Sequence, residues 1–226
     1  MMSTRIVLLA ASVKRKHYCI AGKKWHLDEA NHWIRPVGNS LPDNNDALTA
    51  TEIQFQDHKI PAVLDVVDMH LLAPADHPIQ AENILVDTRV RWKKVGTMPF
   101  NQLSQFIETP DTLWLNPNCH YGINDCFPSN LLRTKVQSLY FILIESLTIN
   151  ISHSTYNNRK RYHGSFIYNG IKYKLSITDT NIYSEYSDKM DGEYAYGKCY
   201  ATVSMAPFAE RNECYKFLAA LIKIKD

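Results

Sequence analysis

Cationic and aromatic side chains occur together in three segments of the chain. Two of these segments supply the residues that we expect to contact a ligand: Lys14, Arg15, Lys16, Lys23, Lys24, Trp25, Arg35, Arg159, Lys160, Arg161, Tyr162 and Tyr168. The third segment surrounds Trp92 with Arg89, Arg91, Lys93 and Lys94. Cations neutralise phosphates, and aromatic rings stack on unpaired bases at about 1–3 kcal/mol per base. The pattern therefore predicts a surface that holds single-stranded nucleic acid without a sequence code.

A structural role for the same residues is the alternative. Charged side chains also solvate hairpin tips and protect the edges of sheets. Trp33 suits a core position, and Arg35 is placed to pair with an acid of the VLDVVD segment, residues 63–68. We favour ligand contact for Lys23 and Lys24, and the core for Trp33.

Cysteines and histidines offer a second kind of chemistry, which is metal binding. Structural zinc sites present two ligand pairs, each with its members about two to four residues apart. Cys119, His120 and Cys126 lie close together in the segment NCHYGINDC, but they lack this spacing and a second pair. The histidines and the cysteine of residues 17–32 also lack a recognised spacing. The five cysteines are therefore expected to be mostly buried thiols, and no metal or other cofactor is predicted.

Sequence motifs of the common catalytic and phosphate-binding sites are missing from the chain. It contains neither G-x-S-x-G nor G-x-x-x-x-G-K-[ST] nor G-x-G-x-x-G. Asp65 and Asp68 follow an apolar run, a position that suits the metal-binding carboxylates of a nuclease. Solvation of strand ends explains the same acids, so a non-enzymatic protein is expected and a small metal-dependent nuclease is kept as an alternative.

Short β-strands explain most of the hydrophobic pattern that must position these residues. Apolar runs and alternation predict strands at residues 5–12, on both sides of a polar turn between Trp25 and Trp33, within residues 59–74, from Ile84 to Trp92, and at residues 138–152 and 193–208. Residues 160–179 predict a hairpin around Asn169 and Gly170. Apolar residues before Pro110 predict a helix, and residues 212–226 fit a strand or a short helix equally well.

Composition supports a β-rich globular protein and excludes a strongly basic one. The chain has 226 residues, of which 45% are hydrophobic and 13 are tyrosine, a residue that packs well on half-buried sheets. Its formal net charge is only +2, so any attraction for nucleic acid must come from local clusters. No segment approaches the ~20 apolar residues of a spanning helix, and the N-terminal apolar run is too short for a secretory signal. A cytoplasmic location without membrane contact is expected.

The elements divide into two β-dominated domains, predicted as residues 1–132 and 133–226. Loop residues from Phe127 to Lys135 precede the long strand and mark this boundary. Each part has the size of a small domain and carries several short strands. The absence of a strand–helix–strand rhythm argues against a Rossmann sheet. The predicted fold class is mainly β, with two small barrels or sandwiches and one or two short helices.

At the level of particular segments, the chain resembles the bacterial dual OB-containing domain family. The matching segments are KRKHYCIAGKKW, WIRPV, VLDVVDMHLLAP and IQAENILVD, then SLYFILIESLTI, KRYHGSFIYNGIKYKLSITD and CYATVSMAPFAERNECYKFLAALI. The resemblance extends from about Ile6 to Ile222, and the loop PNCHYGINDC departs from the family pattern. It implies two OB folds in tandem and an association with nucleic-acid transactions and mobile-element conflict. It supplies no catalytic residues.

The expected function is a non-enzymatic module that binds single-stranded DNA or RNA, in a mobile-element or phage-defence context. OB folds bind ligands around their second and third strands, which places Trp25 and Arg35 near such a surface. An adaptor that recruits a separate enzyme is a further alternative, because tyrosine is a good interface anchor. The tyrosines that suit this alternative are Tyr183, Tyr186, Tyr194 and Tyr196.

Overall fold

In the computed structural model the chain divides into two units, and each unit contains one closed barrel. The structure describes residues 3–14, 17–25, 32–38, 47–117, 120–132 and 134–225. The first unit comprises Met1–Ile107 with Thr134–Ser138, and the second comprises Glu108–Arg133 with Leu139–Asp226. Among the described residues, no helix has the length and apolar character needed to cross a membrane.

The first barrel is a sheet of six strands in the order β1-β2-β3-β5-β4-β6, closed by a pairing of β1 with β4. These strands are β1 (Ser3–Lys14), β2 (His17–Lys24), β3 (Trp33–Val37), β4 (Asp65–Pro74), β5 (Asn83–Val86) and β6 (Lys93–Thr97). The first five strands form the closed ring, in which β3 and β5 are parallel. A short helix, α1 (Ala50–Ile53), lies between β3 and β4 and begins with a capping box of Thr49 and Glu52.

The second barrel repeats this topology. Its strands are β7 (Cys126–Pro128), β8 (Leu139–His153), β9 (Lys160–Tyr168), β10 (Ile171–Ile177), β11 (Gly192–Phe208) and β12 (Glu213–Lys223). Their order is β10-β9-β8-β11-β12-β7, and β10 pairs in parallel with β12 to close the ring. The helix α2 (Thr180–Glu185) lies between β10 and β11, as α1 lies between β3 and β4. The prediction of two tandem OB-type barrels is confirmed.

Each barrel encloses its own core, built from the inward residues of its strands. In the first barrel Ile6, Ile34 and Trp92 are at most 1% exposed. In the second barrel Tyr173 and Leu218 are fully buried, and Gly164 leaves the space that the Leu218 side chain fills. Period-2 alternation therefore sets the inside and outside of both barrels.

Turns and bulges shape the strands in the second barrel. Asn169 and Gly170 have φ values of 47° and 76°, which is the left-handed geometry of the predicted tight hairpin. In β11 the register with β8 shifts on both sides of Gly197, whose φ of 90° favours glycine. Such irregularities let long strands bend around a small barrel.

Several predicted elements differ from the structure. The predicted helix before Pro110 is a 3₁₀ helix, Phe100–Phe106, which buries Leu103 and Phe106. The strand predicted from Ile84 ends at Val86, and the segment Asp87–Arg91 turns before β6. The C-terminal segment is a strand, β12, which pairs with β11 in the same sheet. Two further 3₁₀ helices are Ser129–Leu131 and Ala209–Arg211.

The two units also differ from the predicted domains, which had a single boundary after residue 132. Residues 108–133 belong to the second unit because β7 pairs with β12 and Glu108 is hydrogen-bonded to Phe141. Residues 134–138 return to the first unit, where Val136 bridges to Gln80. Long-range pairing, which a local composition change does not show, decides the assignment.

Candidate functional site

A pocket of about 540 Å³ opens in the second barrel. It lies where the β8–β9 turn, the start of β9, the loop at residues 120–125 and the β11–β12 connection meet. The lining residues are Tyr121, Ser152, His153, Ser154, Thr155, Tyr156, Arg161, His163 and Arg211. In OB folds, oligonucleotides and oligosaccharides bind at strands two and three and at the loops joining strands one to two and four to five. Counted within this barrel, β9 is strand two, and the two connections are those two loops.

Arg161 is one of two arginines that line this pocket. Its guanidinium carbon lies 5.0 Å from the centre of the Tyr121 ring, a cation–π distance. Its Nη2 donates a hydrogen bond to Ser154 Oγ at 3.0 Å, a typical distance for a good hydrogen bond. The β8–β9 turn that carries Ser154 is closed by backbone hydrogen bonds from Ser154 N to Arg159 O, 2.8 Å, and from Asn158 N to Ser154 O, 2.9 Å.

Arg211 provides a second cation, on the β11–β12 connection. Its Nη1 donates to the hydroxyl of Tyr215 at 3.1 Å, and that hydroxyl donates to Glu213 Oε2 at 2.9 Å. Hydrogen bonds to the Tyr121 and Tyr215 hydroxyls raise the pKa of Arg211 further above its already high value. The Arg211 guanidinium therefore keeps its charge at physiological pH, which suits the pocket to an anion.

Tyr156 offers an exposed aromatic face beside the two arginines. Its side chain is 94% exposed, an unusual position for a large aromatic residue. Its backbone N–H donates to Ser154 Oγ at 3.3 Å, and the residue lies within the closed turn between Ser154 and Arg159. The ring is thus available for stacking on a ligand.

Two histidines also line the pocket. His163 is 6% exposed, and burial together with Lys174 and Arg161 lowers its pKa. It is therefore neutral at neutral pH and offers a hydrogen-bonding group. His153 Nδ1 lies 2.7 Å from Asp191 Oδ1, and its backbone N–H donates to the same carboxylate.

The other predicted residues of the second barrel have different surroundings. Lys160 Nζ donates to the carbonyls of Ser187 and Lys189 at 2.6 and 2.8 Å, and Arg159 is exposed. Tyr162 is half-buried, with its ring 5.0 Å from that of Tyr183. Tyr168 is 8% exposed and belongs to the core, so its predicted role as a stacking platform is corrected.

The predicted phosphate contact of Lys23 is corrected as well. Its side chain is fully buried in the first barrel, where Nζ donates to Phe106 O at 2.9 Å and lies 5.1 Å from the centre of the Trp33 ring. An ammonium in this position contacts no phosphate. Trp33, 6% exposed, is in the core as predicted.

Arg35 is the second buried cation of the first barrel. It is 8% exposed, and its Nη2 donates to Ser138 Oγ at 2.9 Å and lies 3.5 Å from Glu82 Oε1. Arg35 therefore has the structural role that was the alternative to ligand contact, but its acidic partner is Glu82 and not Asp65 or Asp68. Asp65 pairs with Lys94, and Asp68 accepts two hydrogen bonds from Arg5, at 2.7 and 2.8 Å.

Three further residues from the first segment lie at the ends of β1 and β2. Lys24 and Trp25 are partly exposed at the end of β2, and the Trp25 N–H donates to Arg5 O at 3.1 Å. Lys14 ends β1. Arg15 and Lys16 lie outside the described residues. Ligand contact by these residues stays a prediction.

The residues proposed for the two alternatives are largely engaged in structure. Asp65, proposed as a metal ligand of the nuclease alternative, is 5% exposed and forms an ion pair with Lys94. Its role in the structure is therefore this ion pair. Tyr186 and Tyr196 are 7% and 4% exposed, which corrects their assignment as exposed interface anchors. Tyr183 keeps 38% exposure.

Sequence reasoning missed Tyr121, Tyr156 and Arg211. None of them lies in a run of alternating cations and aromatics. The available signal was their placement on the connections between strands, which becomes useful only after the strands are counted within the second barrel.

One group of metal-binding side chains exists among the described residues: His120, Cys126 and Glu213. Two of these belong to the segment considered above for metal binding. Cys119 lies outside the described residues. Cys126, Cys199 and Cys214 are buried, as expected for thiols in a protein core.

Two comparisons relate this chain to known proteins, and a third finds no match. A family model described as the dual OB-containing domain matches residues 4–221. A solved structure described as a murine DNA binding protein bound with ds DNA is 10% identical, with a TM-score of 0.34, over 99% of this chain and 100% of that chain. Similarity at that level supports no argument about function. A comparison with curated protein sequences gave no match.

Proposed function

The chain belongs to the dual OB-containing domain family, and from this we propose that it is a non-enzymatic module that binds single-stranded DNA or RNA. The observation that carries the proposal is the pocket of the second barrel. It combines two guanidinium groups with an exposed tyrosine at the position where OB folds bind oligonucleotides.

Local charge favours a phosphate ligand for this pocket. Arg161 and Arg211 approach it from two different elements, β9 and the β11–β12 connection. Guanidinium groups present forked donors that match phosphate oxygens in pairs. The chain's net charge of +2 gives little long-range attraction, so the affinity has to come from such contacts.

The aromatic side chains favour a single strand over a duplex. The Tyr156 ring is 94% exposed and can stack on a base only when that base is not already stacked within a helix. The pocket volume of about 540 Å³ lies within the range of about 300–1,000 Å³ typical of small-ligand sites. One nucleotide of a strand would thus enter the pocket while its neighbours follow the outer face of β9.

The direct test is a fluorescence-anisotropy titration with labelled single-stranded DNA, single-stranded RNA and duplex DNA of equal length at two salt concentrations. The double variant Arg161→Ala/Arg211→Ala is compared with Lys198→Ala/Lys223→Ala, which removes the same charge from strands outside the pocket. For single strands each lost phosphate contact lowers the salt slope by about 0.7, so the pocket variant is expected to lose about 1.4.

Three outcomes would contradict the proposal. Duplex DNA binding tighter than either single strand would exclude the single-strand preference. Equal losses in the two double variants would show non-specific attraction in place of a site. No measurable binding to any nucleic acid would favour the adaptor alternative. The mobile-element context and a cytoplasmic location stay predictions.

A further inference from the structure

His120, Cys126 and Glu213 bring three metal-binding atoms together at one edge of the second barrel. The Nε2 or Nδ1 atom of His120, the Sγ atom of Cys126 and a carboxylate oxygen of Glu213 all lie within 4.8 Å of one another. Their separation along the chain is large, since Glu213 follows His120 by 93 residues. The barrel, and not a local motif, creates the cluster.

Pairing between β7 and β12 explains why Cys126 and Glu213 meet. The two strands are antiparallel, with Cys126 opposite Tyr215 and Pro128 opposite Glu213. Residues two positions apart on a strand project to the same face, so Cys126 and Glu213 are diagonal neighbours on one face of the ladder. Two donors of different chemistry are therefore placed side by side by the sheet itself.

The loop before β7 positions the third donor. The Asp125 carboxylate accepts hydrogen bonds from the N–H groups of His120, Tyr121 and Gly122, at 3.0, 3.2 and 3.0 Å. Ile123 exchanges two backbone hydrogen bonds with Lys174 on β10. Gly122 packs so close to the Lys174 carbonyl that a side chain would collide with it. The His120 backbone is thus held in place on the barrel.

From this arrangement we propose that His120, Cys126 and Glu213 bind a zinc ion. Zinc accepts sulfur, imidazole nitrogen and carboxylate oxygen at about 2.0–2.3 Å, which places tetrahedral donors about 3.3–3.8 Å apart. Donor atoms within 4.8 Å of one another reach that geometry through small side-chain movements. The thiolate disfavours Mg²⁺ and Ca²⁺, which prefer oxygen donors.

The charges also balance at this position. Cys126 is fully buried, and a buried thiolate is costly unless a cation neutralises it. A thiolate and a carboxylate together cancel the two charges of Zn²⁺. The His120 side chain is 39% exposed, so the cluster has one ligand at the protein surface.

Without metal, two of the three groups are hydrogen-bonded to each other. His120 Nε2 lies 2.7 Å from Glu213 Oε1. To bind the ion through Nε2, His120 must carry no proton on that nitrogen, and the Cys126 thiol must lose its proton, so metal binding releases protons. Three protein ligands leave a fourth position for water or another donor.

The proposed ion is adjacent to the nucleic-acid pocket but does not depend on it. Tyr121, the neighbour of His120, stacks on Arg161, and the Tyr215 hydroxyl links Glu213 to Arg211. Metal binding would therefore immobilise one wall of the pocket. The site can nevertheless exist whether or not the protein binds nucleic acid.

Cobalt is the most informative probe, because Co²⁺ occupies zinc sites and its spectrum reports the ligands. Metal-free, reduced protein is titrated with Co²⁺ and then with Zn²⁺. We expect one Co²⁺ per chain, visible bands of a tetrahedral ion, a near-ultraviolet band from thiolate to cobalt, and loss of all bands on addition of Zn²⁺. Thermal melting of the same samples should show stabilisation by Zn²⁺.

Variants assign the bands to the cluster. Cys126→Ser should abolish the near-ultraviolet band, and His120→Ala, at an exposed position, should lower Zn²⁺ affinity about tenfold or more, since even groups that only orient ligands contribute about 10–100-fold. Cys214→Ser is the matched control. Cys214 is a buried cysteine next to Glu213 in the chain, but it does not belong to the cluster.

The proposal is overturned if the wild-type protein binds no Co²⁺ or Zn²⁺ under reducing conditions. It is also overturned if His120→Ala binds both ions with wild-type affinity and spectrum. His120→Ala keeps the test decisive if Cys126→Ser fails to fold. A near-ultraviolet band that disappears in Cys214→Ser but persists in Cys126→Ser would place the ion elsewhere.

Discussion

Arg161 and Tyr121 form a stacked pair in the second barrel, with the guanidinium carbon 5.0 Å from the centre of the ring. The pair joins β9 to the loop that Asp125 closes, and Ser154 accepts a hydrogen bond from the same guanidinium. A cation held from two sides loses little conformational freedom when a ligand binds. This relationship makes Arg161 the centre of the predictions on binding.

Replacing Arg161 separates charge from geometry. Arg161→Ala should weaken single-strand binding and reduce the salt slope by about 0.7, because one phosphate contact is lost. Arg161→Lys keeps the charge but loses the planar fork, so its salt slope should stay near that of the wild type while its affinity falls. Anisotropy titrations at several salt concentrations measure both quantities. A wild-type affinity for Arg161→Ala would remove this residue from the site.

Tyr156 should act through its ring alone. Tyr156→Ala is expected to weaken single-strand binding by about 1–3 kcal/mol, with an unchanged salt slope, because stacking carries no charge. Tyr156→Trp should restore binding, and a side chain that is 94% exposed should tolerate either change without loss of thermal stability. Anisotropy and thermal melting test the two parts. Equal affinity of the alanine and tryptophan variants would contradict stacking.

Lys23 should affect stability and leave binding unchanged. Lys23→Ala removes a buried side chain and the donor to Phe106 O, so we expect a loss of about 2–4 kcal/mol in the free energy of unfolding. Lys23→Met keeps most of the volume and should lose less. Urea unfolding measures the stability, and salt-dependent anisotropy at low temperature measures the binding. A reduced salt slope in folded Lys23→Met would restore the phosphate role predicted from sequence.

Arg35 and Glu82 should behave as a coupled pair. Arg35→Ala leaves the Glu82 carboxylate, whose side chain is 4% exposed, without this cation and is expected to cost about 3–5 kcal/mol of unfolding free energy. The double variant Arg35→Met/Glu82→Leu should be more stable than Arg35→Ala, because no charge stays buried. Urea unfolding of the single and double variants provides the comparison. A double variant no more stable than Arg35→Ala would show that the unpaired Glu82 charge is not the source of the loss.

His163 should make the protein less stable as the pH falls. Burial, Lys174 and Arg161 lower its pKa in the folded state, whereas Asp125 opposes the shift. As the pH falls, the unfolded chain therefore takes up a proton on His163 before the folded chain does. The contribution of neutral, buried His163 to stability is complete above the unfolded pKa of about 6.5 and declines below it. In His163→Gln the loss of unfolding free energy between pH of about 8 and about 5 should be smaller than in the wild type.

A matched histidine controls for general acid effects on His163. His58 is exposed and has a positive φ of 63°, a conformation that asparagine tolerates well. His58→Asn removes one histidine from the surface without burial or backbone strain, and it is measured over the same pH range as His163→Gln. If His163→Gln and the wild type lose the same stability over this range, His163 is not the responsible group.

Much of the architecture was accessible from the sequence because the relevant signals are local. The Asn169–Gly170 hairpin, the long strand that bends, and the core position of Trp33 follow from turn chemistry and alternation. The ambiguous C-terminal segment resolved as β12 only when β11 was available to pair with it. Among the predicted site residues, Arg161 lines the pocket, whereas Lys23, Arg35 and Tyr168 are buried.

The sequence by itself determined the class of the fold, the positions of most strands and the presence of cations beside aromatics. It did not determine which cations face water, because burial of Lys23 depends on Phe106 and Trp33, and burial of Arg35 depends on Glu82 and Ser138. Only barrel closure places Tyr121, Tyr156 and Arg211 around one pocket, and Glu213 beside His120 and Cys126. Alternation along a strand is a short-range property, whereas these assemblies require pairing between strands far apart in the chain.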